Sequence, residues 1–164
     1  KKFPNELKEA TLFELYEKYK INGDKKMAYL TSLCKKYPTP VFEGEKYFPN
    51  RYKYYMLDKE GPCLLLNEPI CVVEYLEDGI TASRFKRYIQ NPVGLAAYRQ
   101  FLIEYDPKFI NAFKQSVHYV AMSLISKKHI NIMKSHKPKV TLLAAPIGIA
   151  WYLVIRYKSS SEKK

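Results

Sequence analysis

A run of 16 residues without a charged side chain constrains this chain more than any other feature of its sequence. The run extends from Val140 to Ile155 and is bounded by Lys139 and Arg156. As an α-helix it is roughly 24 Å long, and flanking cations and aromatic rings extend such a helix towards the about 30 Å of a hydrocarbon core. A core helix of a soluble domain is the alternative, but no polar stripe follows the segment. We therefore predict a single C-terminal transmembrane helix.

The sequence around this run is strongly basic. The 164 residues carry a formal net charge of +12, and neither Asp nor Glu occurs between Pro107 and Ser161. A polybasic segment beside a span is attracted to anionic headgroups, and a merely solvated basic face is the equal alternative. The predicted contacts with a cardiolipin-like lipid headgroup are Lys127, Lys128, Lys134, Lys137, Lys139 and Arg156.

Apolar side chains at helical spacing predict that the rest of the chain is mainly α. We expect an N-terminal helical hairpin between Pro4 and Tyr37, with its turn at Asn22-Gly23. Thr11 and Glu14 also fit a capping box, which would begin the first helix later.

The middle of the chain predicts further short elements. The apolar run from Cys63 to Leu76 is too short and too charged to span a bilayer, and predicts a buried segment, either a short strand or one helical turn after Pro69. A short basic helix over 84–90 and a kinked pair of helices over 92–128 follow, and the pair is divided at Asp106-Pro107.

Residues 41–62 interleave aromatic and basic side chains and predict an extended Tyr-rich arm. Tyr and Arg are enriched where one protein binds another. Similar interleaving is typical of platforms that stack single-stranded nucleic acid, but no known nucleic-acid motif accompanies it, so a protein partner is preferred. The predicted partner-binding residues are Tyr47, Phe48, Arg51, Tyr52, Tyr54 and Tyr55.

These elements predict three regions. Residues 1–135 form a basic, mostly helical extramembrane body, residues 136–157 a juxtamembrane linker with the transmembrane helix, and residues 158–164 a short polar tail. Five lysines lie in the 20 residues before the run, against four cations after it. This small excess places the body on the positive side, which is the matrix side in a mitochondrion.

No catalytic or cofactor-binding constellation is evident, so we expect no enzyme, metal or cofactor. No two histidines share the i, i+3 or i, i+4 spacing of a metal site, and no cysteines form a C-x-x-C pair. A glycine-rich phosphate loop is also absent. The histidines are His118, His129 and His136, and the cysteines are Cys34, Cys63 and Cys71.

These features predict a non-catalytic, single-pass accessory subunit of a large mitochondrial inner-membrane complex, either a respiratory chain complex or ATP synthase. Such a subunit contributes to assembly and stability, and its partners are other subunits and anionic lipid. The odd number of cysteines and the absence of Asn-x-Ser/Thr favour an intracellular membrane. The basic charge and a start at Lys1, as after removal of a leader, favour the mitochondrion.

Two other interpretations remain. One is a tail-anchored adaptor of another intracellular membrane. The other is a nucleic-acid-binding or ribosomal component, whose contacts would be Arg51, Lys53, Arg84, Lys86 and Arg87.

Overall fold

Helices dominate the part of the chain that the structure, a computed structural model, describes: residues 2–23, 25–72, 74, 84–126 and 134–161. This confirms the predicted mainly α fold class. Two residues of β1 (Glu9–Ala10) pair antiparallel with β2 (Cys63–Leu64). The helices are α1 (Leu12–Glu17), α2 (Thr31–Lys36), α3 (Arg51–Leu57), α4 (Arg84–Gln90), α5 (Pro92–Tyr105), α6 (Phe109–Ser126) and α7 (Pro138–Ser161).

The chain divides into two compact units that alternate along the sequence. The first unit comprises residues 1–39 and 50–75, and the second comprises residues 40–49 and 76–164. Helix α7 belongs to the second unit together with α4, α5 and α6. The predicted division at residue 135 therefore does not coincide with a boundary between these units.

In the first unit, the N-terminus of α1 is capped twice. The Thr11 hydroxyl accepts the N–H of Glu14, and the Glu14 carboxylate accepts the N–H of Thr11 at 2.9 Å, which forms a capping box. The Asp58 carboxylate, beyond the end of α3, accepts the N–H groups of Leu12 and Phe13 at 2.9 Å each. The bond from the Thr11 backbone lowers the pKa of Glu14, whereas burial raises the pKa of Asp58.

The predicted N-terminal helical hairpin is wrong in extent. Helices α1 and α2 have only six residues each, and both contact α3. Residues 9–10 are held as a strand against β2, so the helix cannot begin before the capping box at Thr11. The alternative start at that box is confirmed. The predicted buried segment from Cys63 has a strand of only two residues, Cys63–Leu64, and its side chains Leu64, Leu66 and Ile70 are exposed.

The predicted extended arm over 41–62 is also wrong, because its two halves fold into different units. Residues 51–57 form α3, in which Tyr55 and Leu57 are buried. The ring of Tyr55 meets that of Phe13 edge-on, with 5.6 Å between centroids. Tyr55, which we interpreted as part of a partner surface, thus lies in the core of the first unit.

In the second unit, the segment 40–49 is fastened to the N-terminus of α5. The two carboxylate oxygens of Glu45 accept the N–H groups of Val93 and Gly94 at 2.7 Å each. A negative group here satisfies helix N–H groups that lack an intrahelical partner and complements the helix dipole. A Cβ at Gly94 would lie 2.9 Å from Glu45 Oε2, so a glycine is needed for this approach.

Helix α6 lies at the centre of the second unit and packs against both α5 and α7. The predicted pair of helices is present as α5 and α6. The Asp106 carboxylate between them accepts the N–H of Lys108 at 2.9 Å, and α6 begins at Phe109 rather than at the predicted Pro107. The buried core of the unit includes Leu95, Ala96, Ile103, Tyr119, Ala121, Met122 and Ile155.

Replacing Glu45 with Ala should destabilise the second unit by about 1–2 kcal/mol, the typical cost of losing a helix cap. The measurement is denaturant unfolding of the full chain in detergent, followed by the fluorescence of Trp151, the single tryptophan. Glu43→Ala, at an exposed carboxylate two residues away, is the matched control. Equal losses from both substitutions would contradict the capping role of Glu45.

Candidate membrane anchor

Helix α7 has two faces that differ in side-chain size. Its buried residues are mostly small, namely Thr141, Ala144, Gly148, Ile155 and Ser159. Within the uncharged run from Val140 to Ile155, its exposed residues are mostly large and apolar, and include Leu142 (63% exposed), Leu143 (66%) and Leu153 (60%). A helix of a water-soluble bundle buries its large apolar residues. Small residues between helices with large ones outside are typical of helices packed in a membrane.

The length and polarity of α7 meet the requirements for crossing a membrane. Its 24 residues correspond to about 36 Å, and its uncharged part of roughly 24 Å is extended towards a hydrocarbon core of about 30 Å by the flanking Lys139 and Arg156. The most apolar 18-residue window has a mean hydropathy of 1.6, and only 22% of that window is buried. The core helix of a soluble protein would be mostly buried, so this low fraction favours the membrane interpretation.

The small face of α7 allows close contact with α6. A Cβ at Gly148 would lie 2.6 Å from Cβ of Val120 and 3.0 Å from the carbonyl oxygen of Val117. Ala144 and Gly148 form the small-x-x-x-small spacing that lets two helix backbones approach. We did not predict this face from the sequence, although the spacing of Ala144 and Gly148 is visible in it.

Buried hydroxyl groups join the beginning of α7 to α6. The Thr141 hydroxyl lies 3.2 Å from that of Ser116 and 2.6 Å from that of Ser135, and all three residues are buried. Thr141 also donates to the carbonyl of Lys137 at 3.2 Å. These polar atoms are thus satisfied within the protein, as an apolar surrounding requires.

Trp151 anchors the middle of α7 in an aromatic cluster. Its indole N–H donates to Nδ1 of His118 at 3.1 Å, so this ring nitrogen is the deprotonated acceptor. The Trp151 ring also lies near Phe85 of α4, with 6.4 Å between centroids. His118 therefore links α6 to α7.

The predicted lipid-headgroup residues are placed around both ends of α7. Lys139 and Arg156 are exposed at opposite ends of the apolar stretch. Lys134 is exposed, whereas the Lys137 ammonium donates to the carbonyl of Asp106 at 3.0 Å. The two remaining predictions, Lys127 and Lys128, lie outside the described residues.

The predicted partner-binding residues make contacts within their own units. Tyr47 lies under the guanidinium of Arg87, 4.6 Å from it. Phe48 stacks on Phe42 with 5.8 Å between centroids.

In the first unit, Arg51 lies 4.6 Å from the centre of the Tyr16 ring. Tyr54 stacks on Tyr29 with 5.8 Å between centroids. Tyr52 is half-buried, and Tyr55 is in the core as described above. Of the six predicted residues, only Arg51 is exposed.

The basic residues of the nucleic-acid interpretation are distributed over the two units. Arg51 and Lys53 belong to the first, and Arg84, Lys86 and Arg87 belong to the second. Arg51 and Arg87 already cover tyrosine rings on which a base would stack. This arrangement gives the nucleic-acid interpretation no added support.

Known proteins do not supply a functional assignment. Comparison with protein-family models, curated proteins and solved structures finds no match for this chain. Within the ranges that the structure describes, no three His, Cys, Asp or Glu side chains come together as a metal site. Helix α7 and its surroundings are therefore the candidate functional site.

Replacing Gly148 with Ala should destabilise the contact between α6 and α7 by about 1–3 kcal/mol, because the new methyl group overlaps Val120. Combining it with Val120→Ala should cost less than the sum of the two single losses. Thermal unfolding in detergent measures both effects. Ala150→Val, on the exposed face of α7, is the control. Additive losses in the double variant would show that the two residues do not compete for space.

A tryptophan on the outer face of α7 should meet lipid, whereas Trp151 should not. In vesicles that contain brominated lipid, we expect the variant Trp151→Phe/Leu153→Trp to be quenched several-fold more than the natural chain. Leu153 is 60% exposed, while Trp151 is half-buried against α4 and α6. Equal quenching of the two tryptophans would contradict the assignment of the faces.

Proposed function

We propose that this chain is a non-catalytic accessory subunit of a large membrane complex, and that α7 is its single membrane span. In this role the second unit binds the bilayer through α7, and the chain contributes to the assembly and stability of its complex. The observation that carries the proposal is the arrangement of α7, with small side chains against α6 and large apolar side chains outside.

The packing of α7 favours a subunit over a tail-anchored adaptor. The tail anchor of an adaptor needs no contact with its soluble domain. Here α7 runs parallel to α6 and contacts it from Thr141, beside Ser116, to Gly148, beside Val120. A membrane helix held in this way is fixed relative to the rest of its unit. Neighbouring subunits can then bind α7 and the rest of the unit at the same time.

The mitochondrial inner membrane is the location we propose, with the N-terminal body on the matrix side. The support is the charge of +12 and the absence of acidic residues from Pro107 to Ser161, since anionic lipid such as cardiolipin attracts basic segments. Lys134, Lys139 and Arg156 are exposed and available for such contacts. A respiratory chain complex or ATP synthase is the kind of partner proposed.

Replacing Leu143 with Arg should cost roughly 2.5–3.5 kcal/mol of membrane insertion. The natural chain should resist extraction with alkaline carbonate and migrate on a native gel far above its own mass. The variant should be extracted, and it should be lost from the large species. Leu143 is 66% exposed, so the substitution leaves internal packing intact and separates insertion from folding.

Val41→Arg provides the matched control, because Val41 is an apolar side chain of the second unit that is 90% exposed. This variant should stay in the membrane pellet and in the large species. Release of the natural chain by carbonate would overturn the span. Retention in the membrane without a larger species would overturn the subunit role and support an autonomous adaptor.

A further inference from the structure

The first unit contains a cavity of about 520 Å³ that the membrane anchor does not explain. Its volume lies within the about 300–1,000 Å³ range of small-molecule pockets. The cavity is lined by the beginning of the chain, by β1 and α1, by residues 25–28 and by residues 63–70. All of these segments belong to the first unit.

The cavity has a buried apolar floor and an exposed apolar wall. Ala10, Leu12 and Leu15 form the floor and are at most 3% exposed. On the wall, Leu64 is 80% exposed and Leu66 is 69% exposed. Large apolar side chains grouped around a concave surface mark a binding site more often than isolated exposed ones do.

The wall is held in place by backbone and side-chain bonds. The N–H of Phe3 donates to Oδ1 of Asn67 at 2.7 Å, and Nδ2 of Asn67 donates back to the Phe3 carbonyl at 2.9 Å. The N–H of Leu65 donates to the carbonyl of Lys8 at 2.8 Å. With the pairing of β1 and β2, these bonds fix the extended segment 63–67 opposite the floor.

Cations dominate the polar part of the lining. Among the described residues around the cavity, Lys2, Lys25 and Lys26 are basic and Glu68 is acidic. The ammonium group of Lys25 is engaged by the carbonyls of Ile21 and Gly23. Lys2 and Lys26 are exposed and carry the positive charge that an incoming ligand meets.

We propose that this cavity binds a single acyl chain with an anionic headgroup, such as a long-chain fatty acid or an anionic lysophospholipid. The hydrocarbon covers the apolar floor and wall, which removes their surface from water. The carboxylate or phosphate lies at the mouth beside Lys2 and Lys26. The proposal is independent of the membrane span, because every residue that carries it belongs to the first unit.

A photoreactive palmitate with a diazirine in its chain tests the proposal. The full chain is reconstituted in phosphatidylcholine nanodiscs, irradiated with the probe and mapped by mass spectrometry. We expect labelling in residues 25–28 and 63–70, saturable by unlabelled palmitate. Probe that is dissolved in the bilayer around α7 labels Pro138–Ser161 instead. Labelling from the cavity and labelling from the bilayer are therefore distinguishable by position in the sequence.

Ala28→Trp fills the cavity from an exposed position, and should abolish labelling of the first unit without affecting that of α7. Ser32→Trp, exposed on α2 and away from the cavity, is the matched control and should label normally. The double variant Lys2→Gln/Lys26→Gln should weaken competition by palmitate but not by hexadecanol, which carries no charge. Shortening the fatty acid by two methylene groups should weaken binding roughly tenfold.

Competition also identifies the source of the ligand. Stronger displacement by lysophosphatidylglycerol than by palmitate indicates a membrane lipid, and the reverse order indicates a free fatty acid. Labelling confined to Pro138–Ser161, or labelling of 63–70 that persists in Ala28→Trp, would overturn the proposal. Either result would instead indicate that the exposed leucines of the wall bind a protein partner.

Discussion

The close approach of α7 to α6 at Gly148 is the contact on which the arrangement of the second unit depends. Because a Cβ at Gly148 would meet Val120 at 2.6 Å, the side of α7 that faces α6 accepts only small residues around this point. The large apolar residues of α7 are thereby left on the opposite side, where Leu142, Leu143 and Leu153 are exposed. In water this surface would be a liability for aggregation, and in a bilayer it is the expected exterior.

Two carboxylates from distant parts of the sequence stabilise the beginnings of helices. Asp58 caps α1 across 46 residues, and Glu45 caps α5 across 49. Helix α1 has six residues and is too short to be stable by itself, because isolated helices need about 12–15 residues. Such remote caps connect local structure to tertiary structure, since each helix start forms fully only when its distant partner is in place. They also explain why segments that are far apart in the sequence fold into the same unit.

The sequence predicted those elements whose signals are local. The uncharged run predicted α7, the spacing of apolar residues predicted α5 and α6, and the stop signal at Asn91-Pro92 predicted the end of α4. Thr11 with Glu14 allowed the late start of α1. It did not predict that α3 replaces the arm, because Tyr55 is helical and buried only through partners such as Phe13, which is distant in the sequence. For the same reason the acyl-chain cavity was not predicted, since residues 63–70 meet Ala10 and Leu15 only in the folded unit.

The position of α6 beside α7 constrains the surroundings of the whole second unit. Since α6 packs along α7, a bilayer that meets the outer face of α7 lies within about one helix diameter, 10–12 Å, of α6. Helix α6 suits this position, because Lys114 is its one charged side chain and the Ser123 hydroxyl donates to the Tyr119 carbonyl. Helix α5, which packs against α6, carries Arg99 and Glu104, and the side chain of Glu104 is 65% exposed. In a bilayer, the exposed leucines of α7 would meet lipid, whereas the exposed carboxylate of Glu104 on α5 needs water or a polar protein surface. A membrane complex would provide both environments at one place, in line with the accessory-subunit role proposed above.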